Sequence, residues 1–272
     1  MSEGPGFGGR DADDPATPRH RARKRFGQNF LRDPSVVERM LAAMRPESGQ
    51  RIVEVGPGLG ALTWPLLERV GHLTVVEIDR DLVARLEGRA DPRLEIVAGD
   101  VLGVDFVALA GDSPLRIVGN LPYNIGTPLI LRLLEARGAV ADVHVMLQRE
   151  VIERLGAVPG TRAWGRLSVL VQSAFAVTPL IAVPPGAFEP PPKVHSGVVR
   201  LVPRADAPDE AAMERLSRAT RLAFTGKRKT LRNNLRGHLE PAAIEALGID
   251  PGARAETLDL DAFARLARAL VR

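Results

Sequence analysis

Apolar residues along this chain follow two alternating patterns, one of helical period and one of short continuous runs. Val36, Val37, Met40, Leu41 and Met44 recur at helical spacing behind Asp33 and Pro34. Asp33 can cap the first free amides, and proline has no amide to lose at the first helical position, so a helix is predicted from Pro34. Beyond it, strands are predicted at 51–55, 72–78, 94–98, 115–118 and 140–147, and helices at 61–70, 80–89 and 128–136. Short strands apolar on both faces, separated by helices, describe a mostly parallel sheet covered on both sides. Right-handed crossovers make it a doubly wound, Rossmann-like α/β fold.

Helices are also predicted at 148–155 and 165–174. Two apolar strands, 175–183 and 194–202, are joined by the proline-rich stretch 183–193 and suit an antiparallel edge. Residues 204–208 break the rhythm, and 210–224, 230–235, 241–247 and 261–271 read as helices. The organisation expected is a flexible tail over 1–18, rich in Gly, Asp and Pro, an α/β domain over 19–203, and a small helical domain over 204–272. No internal repeat is visible.

Composition narrows the setting. At 45% hydrophobic, the 272 residues can bury a real core. The absence of cysteine excludes disulfides, thiolate metal sites and cysteine nucleophiles, and makes a cytoplasmic chain the simplest expectation. No run approaches the ~18 apolar residues of a membrane span, and residues 1–14 lack the apolar core of a secretory signal. Nothing demands a dimer, so a monomer is expected. Net charge is only +4, but it is clustered. Arg19, Arg21, Arg23, Lys24 and Arg25 form one basic run; Arg221, Lys227, Arg228, Lys229, Arg232 and Arg236 form a second with no acid among them. Two such clusters suit a polyanion touched at two places, a solvated basic face being the alternative.

The candidate chemistry lies at strand ends. Glu54-Val55-Gly56-Pro57-Gly58-Leu59-Gly60 is a glycine-rich turn between the first strand of the sheet and its helix. Glycines there let the backbone turn sharply against a ligand, in dinucleotide-binding folds and methyltransferases alike. Glu77, about 20 residues on, can accept from a ribose diol, and Asp100 after the third strand can accept an adenine amine. An acid as close to the turn as Glu54 suits a cationic sulfonium cofactor better than a pyrophosphate. Asn120-Leu121-Pro122-Tyr123 follows the fourth strand, at the crevice where such sheets bind ligands. An exocyclic adenine amine is a poor nucleophile because its lone pair is delocalised. The Asn120 side-chain oxygen and the Pro122 carbonyl can accept its two N–H bonds, favouring tetrahedral nitrogen, and Tyr123 can stack on an extruded base. Phe188, ahead of three prolines, suits a stacking platform or a core phenylalanine closing the sheet edge. Lys227, Arg228 and Lys229, near a helix start, suit phosphate contacts or a solvated helix end.

With these motifs in order, the chain resembles the small-subunit ribosomal RNA adenine dimethyltransferases, whose loss confers kasugamycin resistance in bacteria. The resemblance spans about residues 24–272. It rests on Arg25–Leu31, Glu54–Gly60, Glu77–Asp79, Gly99-Asp100, Gly119–Ile125, Phe188–Ser196 and Phe224–Leu231. It implies a class I methyltransferase fold, S-adenosylmethionine as cofactor, and N6,N6-dimethyladenosine formed at two adjacent adenosines in a hairpin loop near the 3′ end of small-subunit rRNA. Asn29, Leu31, Gly56, Glu77, Asp100 and Asn120 correspond to cofactor contacts, Asn120, Pro122 and Tyr123 to the catalytic set, and Tyr123 and Phe188 to base stacking. Arg23, Lys24, Arg25, Lys227, Arg228 and Lys229 are expected at the RNA, and the implied partner is an immature small subunit. Two other readings share the motifs: a large-subunit rRNA adenine dimethylase of the macrolide-resistance type, and a non-catalytic RNA-binding assembly factor on the same scaffold. The full Pro-Pro-Lys-Val-His-Ser run and the Gly-Lys-Arg-Lys segment favour the small-subunit enzyme over the first. The intact Asn120–Tyr123 and Gly56–Gly60 motifs argue against the second. A dehydrogenase would need a proton-transfer group near the crevice, and none of the five histidines is an evident candidate.

Overall fold

The computed structural model describes Arg23 and residues 27–270. The expected tail over 1–18, and Lys24 and Arg25, lie outside the described residues. Seven strands form the main sheet: β2 (Ile52–Val55), β3 (Leu73–Glu77), β4 (Leu94–Ala98), β5 (Leu115–Asn120), β6 (Val140–Gln148), β7 (Phe175–Val183) and β9 (Ser196–Pro203). Their order is β4-β3-β2-β5-β6-β9-β7. The first five run parallel, and β9 inserts antiparallel between β6 and β7. The switch point where the chain leaves β2 in both directions is the crevice at which this class of sheet gathers ligands.

Helices α1 (Pro34–Met44), α2 (Thr63–Val70), α3 (Arg80–Glu87), α4 (Phe106–Ala110), α5 (Gly126–Glu135), α6 (Arg149–Leu155) and α7 (Arg166–Ala174) cover the sheet. Asp33 caps α1, accepting from the Ser35 amide at 2.9 Å, and Asp79 caps α3 in the same way from Asp81 at 3.1 Å. Two separate apolar clusters result. One includes α1, α2 and the faces of β2 and β3 that meet them; the other includes α5, α7 and much of β5 and β6.

Three short elements are not visible in the periodicity. A two-residue strand, β1 (Phe30–Leu31), pairs antiparallel with another, β8 (Phe188–Glu189), joining Phe30 to Glu189 and Leu31 to Phe188. The five-residue α4 lies where no helix is predicted, its apolar Phe106 and Ala110 buried behind the Asp105 cap.

Beyond Pro203 the architecture turns helical: α8 (Glu210–Ala223), α9 (Leu231–Asn234), α10 (Pro241–Ala246) and α11 (Leu260–Ala269). The apolar positions of α8 and α11 belong to the same buried cluster as α7, and the indole of Trp164, just before α7, donates to the Leu258 carbonyl at 3.0 Å. The change at Pro203 is therefore one of architecture, across a continuous core.

Candidate functional site

The carboxyl ends of β2, β3, β4 and β5 open on one cleft. Asn29, Leu31, Gly56, Glu77, Asp100, Asn120, Pro122, Tyr123 and Phe188, singled out in the sequence from six separate stretches, all line it.

Its floor is the glycine turn. Gly58 has φ +59°, and a Cβ there would lie 3.1 Å from Cδ1 of Phe30. A bare backbone is what lets the β1 segment lie across the turn. Behind the turn, β2 and β5 approach so closely that a Cβ on Gly119 would stand 2.3 Å from the Val55 carbonyl oxygen.

Three carboxyl groups line the cleft. Glu54, on β2, is buried, and burial raises its pKa to about 8; the nearby Thr63 hydroxyl opposes the shift and the Glu77 charge adds to it. Among the described residues, neither Glu54 Oε2 nor Thr63 Oγ1 has a hydrogen-bond partner of good geometry. A buried orphan acid beside a cleft is poised for a cationic ligand that would pair with it. Glu77 accepts from the Asp79 amide at 2.9 Å and the Gly58 amide at 3.3 Å. Burial raises its pKa, and those amides hold the rise back. Each of its oxygens keeps a lone pair beyond these bonds. Asp100 is exposed at the mouth and uses one oxygen to cap Leu102 at 3.0 Å.

The Asn120 side chain is oriented from one side only. Its Nδ2 donates to the Asn29 carbonyl at 3.0 Å, and no described residue donates to its Oδ1. The Pro122 carbonyl, expected as a free acceptor, already takes the Ile125 amide at 2.9 Å, closing the turn into α5; one lone pair remains. The Tyr123 hydroxyl bonds the Ser196 hydroxyl on β9 at 3.1 Å, which fixes the half-buried ring at the wall of the cleft. Phe188 is only 5% exposed and packs in the cluster beneath α1. This burial fits core closure at a sheet edge, while the ring also lines the cleft.

The structure diverts one expected RNA contact. Arg23 donates to buried Asp79 at 2.9 Å and also pairs with Asp81, while Gln28 Nε2 reaches Asp79 at 3.0 Å. Arg23 therefore ties the amino-terminal strap to α3 instead of facing outward as a free cation. Neither this brace nor the Ser196 tether is legible in the sequence. Both depend on contacts between residues more than 50 positions apart, which local spacing cannot reveal. Lys227, Arg228 and Lys229 are exposed in the turn from α8 to α9 and form no ion pair among the described residues. Asn234 holds that turn, accepting from the Gly226 amide at 3.1 Å and donating to the carbonyls of Ala223 at 2.6 Å and Gly226 at 3.2 Å.

The parallel sheet with one inserted antiparallel strand, and an acid-lined cleft at its carboxyl ends, define a class I methyltransferase. The fold overlays a dimethyladenosine transferase from Plasmodium falciparum, with TM-score 0.73 and 24% identity over 87% of this chain and 95% of that one. It also overlays the 23S rRNA methyltransferase ErmE, with TM-score 0.69 and 28% identity over 90% and 100%. Residues 19–271 match the model of the ribosomal RNA adenine dimethylase family, and the chain belongs to that family. Among its relatives, the ribosomal RNA small subunit methyltransferase A of Idiomarina loihiensis is 52% identical over 91% of this chain and 87% of its own length. The protein of the same name from Aromatoleum aromaticum is 55% identical over 88% and 90%.

Proposed function

We propose that this protein transfers methyl groups from S-adenosylmethionine to the N6 amine of two adjacent adenosines in a hairpin loop near the 3′ end of small-subunit rRNA, giving N6,N6-dimethyladenosine. The observation that carries the reading is Asn120: its amide nitrogen is engaged by the Asn29 carbonyl, so its oxygen is left to accept at the mouth of an acid-lined cleft.

S-adenosylmethionine, when bound, supplies an electrophilic methyl group on a sulfonium. Glu77 and Asp100 suit its ribose and adenine, and its positive charge would pair with Glu54, the acid whose proton a cation at that end of the cleft would displace. Asn29, Leu31 and Gly56 complete that side of the cleft. Asn120 Oδ1 and the remaining lone pair of the Pro122 carbonyl accept the two N–H bonds of the target amine, drawing its lone pair out of the ring. Tyr123, held by Ser196, supports the base, and Phe188 backs the cleft from its core position. The amine sheds its proton after attack, so no strong general base is required.

The substrate is an immature small subunit met in the cytoplasm, and Lys227, Arg228 and Lys229 contact its phosphates. No described helix is long and apolar enough to cross a membrane. A large-subunit substrate is the second reading, through the likeness to ErmE; the small-subunit relatives, at 52–55% identity, favour the first.

The test is transfer of labelled methyl from S-adenosylmethionine to small subunits lacking the modification, followed by nucleoside analysis. N6,N6-dimethyladenosine is expected. Label found only on naked large-subunit rRNA, or nowhere, overturns the assignment.

A further inference from the structure

Arg215, Arg218 and Arg221 lie three residues apart on α8 and share one side of that helix, while Leu216, Ala219, Thr220 and Ala223 on the other side are buried. Arg166 opens α7 alongside, its NH2 donating to the Ser217 hydroxyl at 3.2 Å. With Glu214 and Leu270 these residues line a groove on the seam between the α/β sheet and the helical region. It shares no lining residue with the catalytic cleft.

Four arginines and a single carboxylate, Glu214, line it. Several other exposed arginines in this chain sit beside acids: Arg69 pairs with Glu38, Arg93 with Glu68 and Asp91, Arg132 with Glu135, Arg149 with Glu153, and Arg204 with Asp206. None of the four groove arginines makes an ion pair among the described residues, although Glu214 stands one turn before Arg218. Unpaired like charges gathered in a concave surface repel one another and raise the local potential, an arrangement that an anion relieves. A guanidinium offers a planar fork that matches phosphate oxygens two at a time.

We propose that this groove seats the phosphodiester backbone of the RNA substrate, as a contact separate from both the cleft and the Lys227–Lys229 turn. The proposal rests on the rRNA reading above and adds a second docking surface to it.

The test uses the full chain carrying Arg166→Gln, Arg215→Gln, Arg218→Gln and Arg221→Gln together, and a parallel variant with Lys at the same four positions. Binding to unmethylated small subunits and to a short RNA duplex is followed between about 50 and 200 mM salt. Each lost phosphate contact removes roughly 0.9 from the slope of log affinity against log salt, so the Gln variant should lose about 2–3 of slope and at least ~10-fold in affinity on both ligands. Its turnover at saturating subunits should equal that of the parent, and the Lys variant should keep most of the slope. Unchanged slopes on both ligands would overturn the proposal. Weakened subunit binding with an unchanged duplex would also overturn it, pointing to an acidic ribosomal protein in the groove. If the parent fails to methylate subunits while the Gln variant still loses duplex affinity, the substrate assignment falls and the groove stands.

Discussion

Glu54 carries a sharp stability prediction. Its pKa in the fold, about 8, lies above the 4.5 of an unperturbed glutamate, so between those values the folded chain holds a proton that the unfolded chain has released. Stability conferred by that proton is complete at acid pH and is lost as pH rises through the window. At about 1.4 kcal/mol per pH unit, the whole window corresponds to about 5 kcal/mol, and the step from pH 5.5 to 7.5 to about 3 kcal/mol. Glu54→Gln replaces the neutral acid by a neutral amide of similar shape and cannot ionise. Urea unfolding of both proteins without cofactor, from pH 4.5 to 8.5, should show near-equal stability at the acid end, with the variant progressively more stable as pH rises. Curves that stay parallel across the range would refute the reasoning, because the carboxyl would then be charged, or equally neutral, in both states.

Asn120→Ala should abolish methyl transfer while costing only about 1 kcal/mol of stability through the lost bond to Asn29; turnover and thermal unfolding decide, and near-normal turnover would sink the proposed orientation of the amine. Gly119→Ala should destabilise by about 1–3 kcal/mol or more in urea, since its Cβ would meet the Val55 carbonyl at 2.3 Å and rigid strand backbone must yield; a change within about 0.5 kcal/mol would show that β2 and β5 separate easily. Replacing Lys227, Arg228 and Lys229 with Ala should weaken subunit binding and flatten its salt dependence by roughly one unit of slope per lost phosphate contact, and an unchanged slope would reduce the cluster to a solvated turn.

The seven strands of the main sheet were legible because each carries at least three apolar residues within a short run that is punctuated by glycine, proline or a helix-period stretch. The carboxyl-end cleft followed from that alternation, since a doubly wound sheet has one place where its chain reverses direction. What escaped were features with no period. Phe30–Leu31 and Phe188–Glu189 are two residues each, too short for alternation to register, and only their mutual pairing makes them strands. Arg23 stands in a basic run whose composition suggests RNA, yet Asp79 and Asp81, brought near by the turn into α3, take its charge. Phe188 was legible as an important aromatic, but its depth of burial depends on α1 and on residues far along the chain.

The strap formed by that short pairing also bears on time. Arg32 meets Glu189 across 157 positions of chain, so during synthesis the glycine turn and the Asn120 strand exist well before the partner that closes the cleft over them. Insertion of β9 between β6 and β7 delays completion of the sheet further, and such distant pairings fold slowly. Once made, the closure hangs on two residues of strand and a few side-chain bonds, so it can peel back while the seven-stranded sheet stays intact. The exchange of amide hydrogens at Phe30 and Leu31 should therefore run far ahead of that in β2 and β5.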